Sequence, residues 1–163
     1  MAKVDYFLTI DMVRGESQDA ALRDSIELQS WHWGEFNSGS FATGSGGGAG
    51  KVAMQDFNFV MLANRASASL AQACAGGKTY KQAVLTCRKA GATPQVFLQI
   101  WLGDVMVSGF RTGVGGHGGL LPADEVSLTF AQIRLAYGKQ DAKGKVNALD
   151  QKFGYDLTQN KPI

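Results

Sequence analysis

Apolar and polar residues alternate over Val4–Ile10, so that Val4, Tyr6, Leu8 and Ile10 share one side of an extended chain. This is the pattern of a first β-strand with one face toward a core. The next stretch, through residue 24, is polar and reads as a loop. Alternation resumes over residues 25–33 but changes sides partway. Ile26 and Leu28 lie on one face, with Ser30 and His32 after them; Trp31 and Trp33 lie on the other. An apolar stripe that switches faces predicts a bulge or a strand that leaves one sheet for another.

Residues 34–50 form a long glycine-rich loop in this reading, and residues 51–62 a strand whose faces are Val52, Met54, Asp56, Asn58 and Ala53, Gln55, Phe57, Phe59. Ser67 is the expected N-cap of a helix over residues 68–75, because its hydroxyl can accept from an unpaired amide of the first turn. Leu70 and Cys74 share a face of that helix. Gly76 and Gly77 end it, since glycine adopts the left-handed conformation at little cost. Three further strands are predicted over residues 80–89, 95–110 and 126–138, with a bend at Gly103 and Asp104 and a bulge where Val126, Leu128 and Phe130 give way to Ile133, Leu135 and Tyr137. A short last strand falls on residues 153–157. Many strands and a single helix predict a mainly β chain: one compact antiparallel β-barrel with a short α-helix packed on its side, all 163 residues forming one domain.

Composition narrows the function. More than half of the 21 glycines fall in residues 34–50 and 113–119, so the excess marks two loops and not a repeat. Net charge is +2, from 16 basic and 14 acidic residues spread along the chain, and no basic stripe is present to track a nucleic acid. The two cysteines, Cys74 and Cys87, read as small buried apolar groups and not as a disulfide. The opening MAKVDYFLTID has no apolar core or cleavage site of a signal peptide, and no apolar run spans a bilayer. The expected place of synthesis is the cytoplasm, without direct membrane insertion.

Motifs with apparent chemistry fail their context. Lys51 follows a glycine run, but Ser45 stands where a phosphate loop needs its first glycine, Val52 where it needs a hydroxyl, and a strand follows where a helix should. Residues 113–118 spell G-x-G-x-x-G and lead into a proline turn and a strand. His32 and His117 are the only histidines, neither at metal-ligand spacing. No nucleophile stands beside a base. The expectation is no enzyme, no metal and no cofactor. Trp31 and Trp33 are expected to fill the core from one strand face, the alternative being a ligand platform. His32 then points the other way.

Several short segments together resemble one family. They are Gly15-Glu16-Ser17, Trp31-x-Trp33-Gly34, the run from Gly46 to Lys51, Gln55-Asp56-Phe57, AVLTCRKAG over residues 83–91, Thr112-Gly113 and Val126-Ser127-Leu128-x-Phe130-Ala131. Their order and spacing are similar to the haemolysin-coregulated proteins, tube subunits of bacterial type VI secretion. The resemblance covers nearly the whole chain. It departs at His32, where a small polar residue is common, and at Ala68, where proline is frequent.

The resemblance implies a β-barrel subunit that forms a homo-hexamer. Rings would stack into a hollow tube, work with sheath, spike and baseplate proteins, and carry or chaperone small effector proteins in the lumen. The subunit itself would leave through the type VI apparatus. The chain ends near the expected last strand, which implies no fused effector domain. His32 is assigned to the lumen wall, the alternative being a subunit interface. Gly44, Gly46, Gly47, Gly48 and Gly50 are assigned to a ring-stacking loop. A small-ligand-binding or hydrolytic β-barrel and a phage tail-tube protein are the competing readings. A saturable ligand on a monomer would favour the first.

Overall fold

The computed structural model describes residues 3–39, 51–114 and 121–163. Over these residues the chain is mainly β and antiparallel, with one helix. Its elements are β1 (Val4–Ile10), β2 (Ile26–Glu27), β3 (Ser30–His32), β4 (Glu35–Asn37), β5 (Val52–Met54), β6 (Phe57–Leu62), α1 (Ala66–Gly76), β7 (Thr79–Lys89), β8 (Gln95–Gly113), β9 (Ala123–Tyr137), β10 (Gln151–Asp156) and β11 (Lys161–Pro162).

The central sheet runs β11-β10-β9-β8-β7-β1-β2, and β6 joins β9 on the edge that β10 leaves free. β9 is long enough to serve two partners on that edge: residues 123–128 pair with β6, residues 132–137 with β10. β3 in turn pairs with β6. The circuit from β1 through β7, β8, β9, β6 and β3 returns to β1 through the chain itself. Leu28 donates its amide to the Tyr6 carbonyl, on the β1 side, and Gln29 donates to the Val60 carbonyl, on the β6 side. The stripe that switches faces in residues 25–33 is therefore one segment, broken at Leu28 and Gln29, that closes the sheet on itself by exchanging neighbours. Ile26 and Leu28 are buried before the switch, and Trp31 and Trp33 pack on the core after it.

Inside lies one cluster of buried side chains, with Leu8, Ile10, Ile26, Phe57, Phe59, Met61, Leu85, Ile100, Leu102, Leu128 and Ile133 at its centre. Each such side chain contributes about 1.5–3 kcal/mol by leaving water. α1 packs against β8 and adds Ala66, Leu70 and Ala73 to the same cluster.

The structure redraws several predicted elements. The strand expected over residues 51–62 is two strands, interrupted where the Gln55 amide donates to the Gly34 carbonyl and Asp56 accepts from Ser108 Oγ at 2.6 Å. The expected loop from residue 34 begins as a strand, since Glu35–Asn37 pairs with Val52–Met54. Ser67 is not the N-cap. Arg65 holds that position without a cap from its own side chain; Asn64 before it supplies the bond, its Oδ1 accepting the Ala66 amide at 2.8 Å while Ser67 Oγ accepts the Asn64 amide at 2.9 Å. The helix accordingly starts two residues earlier than expected and buries Ala66, Leu70 and Ala73, leaving Cys74 half-buried. Gly77, with φ 66°, ends it as expected of a left-handed cap.

β9 has no bulge at Phe130. Its register with β8 is the same on both sides of that point, and the shift lies instead between Val107 and Gly109 of β8. The apolar parity of β9 changes where its outer neighbour changes from β6 to β10, opposite a bend at Asp104 of β8, whose φ is 52°. The bend agrees with the expectation at Gly103 and Asp104, and the bulge expected in β9 from its own change of parity is absent.

Candidate functional site

Four strands, β3, β6, β9 and the far half of β8, form a strip whose two faces follow from register. Trp31, Phe59, Val126 and Phe110 make one cross-strand row, which faces the core. His32, Asn58, Ser127 and Gly109 make the adjacent row, and Ser30, Val60, Glu125 and Arg111 the one beyond it, both on the opposite face. Trp31 stacks on Phe57 at 5.9 Å between ring centres and meets Tyr6 edge-on at 6.3 Å. Trp33 lies 6.3 Å from Phe153, and its indole nitrogen is buried without a protein partner.

On the outward face His32 is exposed. Beside it Ser127 Oγ donates to Asn58 Oδ1 at 2.5 Å, and Arg111 pairs with Glu125 at 3.1 Å. Gly109 ends the His32 row with no side chain, so the surface is a shallow polar ledge without net charge from its ion pair. Such a ledge can hydrogen-bond a passing surface. It holds no nucleophile–base pair. Among the described residues, no three His, Cys, Asp or Glu side chains are grouped to hold a metal ion. His117 lies outside the described residues.

A second constellation was missed by pattern reading. The loop after β1 folds back over the outer face of β1 and β7. Gly15 sits so close to Ser25 that an added Cβ would fall 2.3 Å from the Ser25 carbonyl oxygen. Asp19 then reaches Arg88, which is buried to 9% exposure, in a two-pronged ion pair whose Nη1 arm is 3.1 Å long. The guanidinium also lies 4.9 Å from the Phe7 ring centre. Hydrogen bonding from Arg88 holds the Asp19 carboxyl down at about 2, helped by the amides of Ala21 and Leu22. Gly15 and Arg88 lie in two of the short segments that carry the family resemblance, but nothing in their spacing says that they meet. Asp124 was missed too. It is fully buried, accepts from Ser67 Oγ at 2.5 Å, and ties the first turn of α1 to β9. Its Oδ1 has no protein partner.

The third feature is the β4–β5 arm, a two-stranded ribbon that continues the β3–β6 hairpin and, among the described residues, pairs with no other strand. Phe36 on it is 61% exposed. Lys51, just before its second strand, is exposed. Gly44, Gly46, Gly47, Gly48 and Gly50, the expected stacking loop, lie outside the described residues.

Comparison with known proteins places these features in context. Residues 7–137 match the family described as "Type VI secretion system effector, Hcp". The chain is 42% identical to Protein hcp1 of Pseudomonas aeruginosa over 158 residues, 96% of this chain and 97% of the relative. It superimposes on the crystal structure of Hcp1 from Salmonella typhimurium with a TM-score of 0.80 and 32% identity, covering all of both chains. A structure described as a type six secretion system protein gives a TM-score of 0.92 at 24% identity, over 99% of this chain and 100% of the other, which is a likeness of fold.

Proposed function

This chain belongs to the Hcp family of type VI secretion proteins, and from that premise we propose that it is the structural subunit of the secretion tube, six copies closing into a ring and rings stacking into a hollow conduit. The observation that carries this reading is the match across residues 7–137, joined to full-length superposition on a Salmonella Hcp1. The role needs shape and repeated contact, not chemistry, and the ledge around His32 holds no catalytic pair.

In this reading His32, Asn58 and Ser127 face the lumen, where a weak hydrogen bond is multiplied around the ring and captures small effector proteins. Trp31 and Trp33 hold that wall in place from behind. Gly44, Gly46, Gly47, Gly48 and Gly50 belong to the stacking contact. Sheath, spike and baseplate components are the other partners, and the subunit travels out through the apparatus itself without a cleavable signal. No helix among the described residues is long and apolar enough to cross a membrane.

Gel filtration coupled to light scattering tests the assembly. The expected particle has six times the 17.4 kDa mass of the chain, with annular views in negative stain. A monomer at every micromolar concentration overturns the reading.

A further inference from the structure

Beyond the bend at Asp104, the near half of β8 and the far half of β9 continue the sheet into β10 and β11. Ile100, Leu102, Ile133 and Leu135 turn inward there to the core. The alternate residues therefore face away from it. Trp101, Arg134 and Gly154 make one outward row, Gln99, Ala136 and Lys152 the next, and Gly103, Gln132, Asp156 and Lys161 the row on the other side.

Trp101 and Arg134 are fixed together on this face. The indole nitrogen of Trp101 donates to Gln82 Oε1 at 2.7 Å. Its ring lies down over Gly103, where an added Cβ would fall 2.5 Å from a ring carbon. The Arg134 guanidinium sits 4.8 Å from the ring centre. A guanidinium held flat on an aromatic ring keeps its edge N–H groups free for a carboxylate and loses less freedom when one arrives. Lys152 and Lys161 flank it. All three cations are exposed, and none is in an ion pair among the described residues. The carboxylate of these rows, Asp156, is buried and accepts from Gln132 at 3.0 Å and from Thr158 at 2.6 Å. Beside Arg134 lies a hollow of about 420 Å³, lined also by Ala136, Lys152, Gly154 and Ile163. Its floor is made of residues with little or no side chain, so it has room for a side chain from outside.

Exposed cations without counter-ions call for an acidic partner, and Trp with Arg is the pairing that dominates binding energy at protein interfaces. We propose that this face is the docking surface for the sheath, with an aspartate or glutamate of the sheath protein taken by Arg134 and flanked by Lys152 and Lys161. The inference rests on the tube-subunit reading. There the His32 ledge looks into the lumen, and this separate wall of the closed sheet looks away from it, toward the partner that surrounds the tube.

The test incubates tubes of the full chain with the cognate sheath protein, pellets them, and measures the sheath bound. Arg134→Glu should form rings and stacks at the unmodified level and bind at least tenfold less sheath. Arg134→Lys, which keeps the charge and loses the fork, should fall severalfold. If Arg134→Glu fails to fold, Lys152→Glu with Lys161→Glu takes its place. A water-soluble carbodiimide, which joins lysine amines to carboxylates in contact, should link Lys152 or Lys161 to an acidic residue of the sheath protein, located by mass spectrometry. Sheath binding by the glutamate variants at the unmodified level overturns the docking. Links from these lysines to a second copy of this chain also overturn it, and make the face a subunit contact. Unmodified tubes that recruit no sheath overturn the docking and leave the tube reading standing. Absence of rings from the unmodified chain overturns both.

Discussion

Cys87 and Cys74 show how burial decides the chemistry of identical side chains. Cys87 is fully buried in β7, and loss of hydration pushes its thiol up to about 12. The thiolate is the reactive form, so at pH 8 Cys87 is inert. Cys74 is half-buried on α1. Iodoacetamide at pH 8 should add one label to the folded chain, on Cys74, and two to the chain in denaturant, counted by intact mass. Labelling of Cys87 in the folded chain as fast as Cys74 would contradict its placement. His32 and Trp31 make the same point differently: adjacent residues of one strand, one exposed and one packed on Phe57, because side chains alternate across a sheet.

At the scale of elements, the loop between β1 and β2 is held down by one ion pair. Asp19 binds Arg88, and its carboxyl falls from 3.8 to about 2. A carboxyl lowered by folding stabilises the folded chain above its unfolded value and loses that contribution as pH falls through the folded one. The difference in melting temperature between the wild type and Asp19→Asn should therefore be constant from pH 8 to about pH 5, and should close between about pH 4 and pH 2. A gap that persists unchanged at pH 2 would mean that the carboxylate charge is not what holds the loop. Gly15 supplies the close approach that this loop needs, since any side chain there would meet the Ser25 carbonyl.

The whole molecule is a sheet that returns to its start, with helix α1 on β8, a polar ledge on one face and an arm at one end. If the ledge lines a channel, changing His32 alters what passes and not what assembles. His32→Gln should leave ring formation at the wild-type level while co-purification of a cognate effector falls severalfold. Failure of the variant to form rings would move His32 from the lumen to a subunit interface.

The sequence by itself determined the class of fold, because alternation over Val4–Ile10 and residues 95–110 leaves only strands with one face buried. It also showed that the environment changes within residues 25–33, read as a bulge or a change of sheet where the structure has an exchange of neighbours within one sheet, and it placed the helix stop at Gly76 and Gly77. Short motifs in order gave the family. What it could not supply was any fact that depends on which strands lie side by side. Asp19 and Arg88 are 69 positions apart, and two charged residues in polar surroundings carry no sign of a mutual pairing. Asp124 carried no sign in the sequence that the fold would lay the first turn of α1 against it. The missing bulge in β9 has the same origin: parity within a strand reports which side is covered, and β9 changes cover by changing neighbour at Phe130. Local periodicity is a property of the chain, so it was legible; partners across the sheet are set by closure of the whole circuit, and only the tertiary structure decided them.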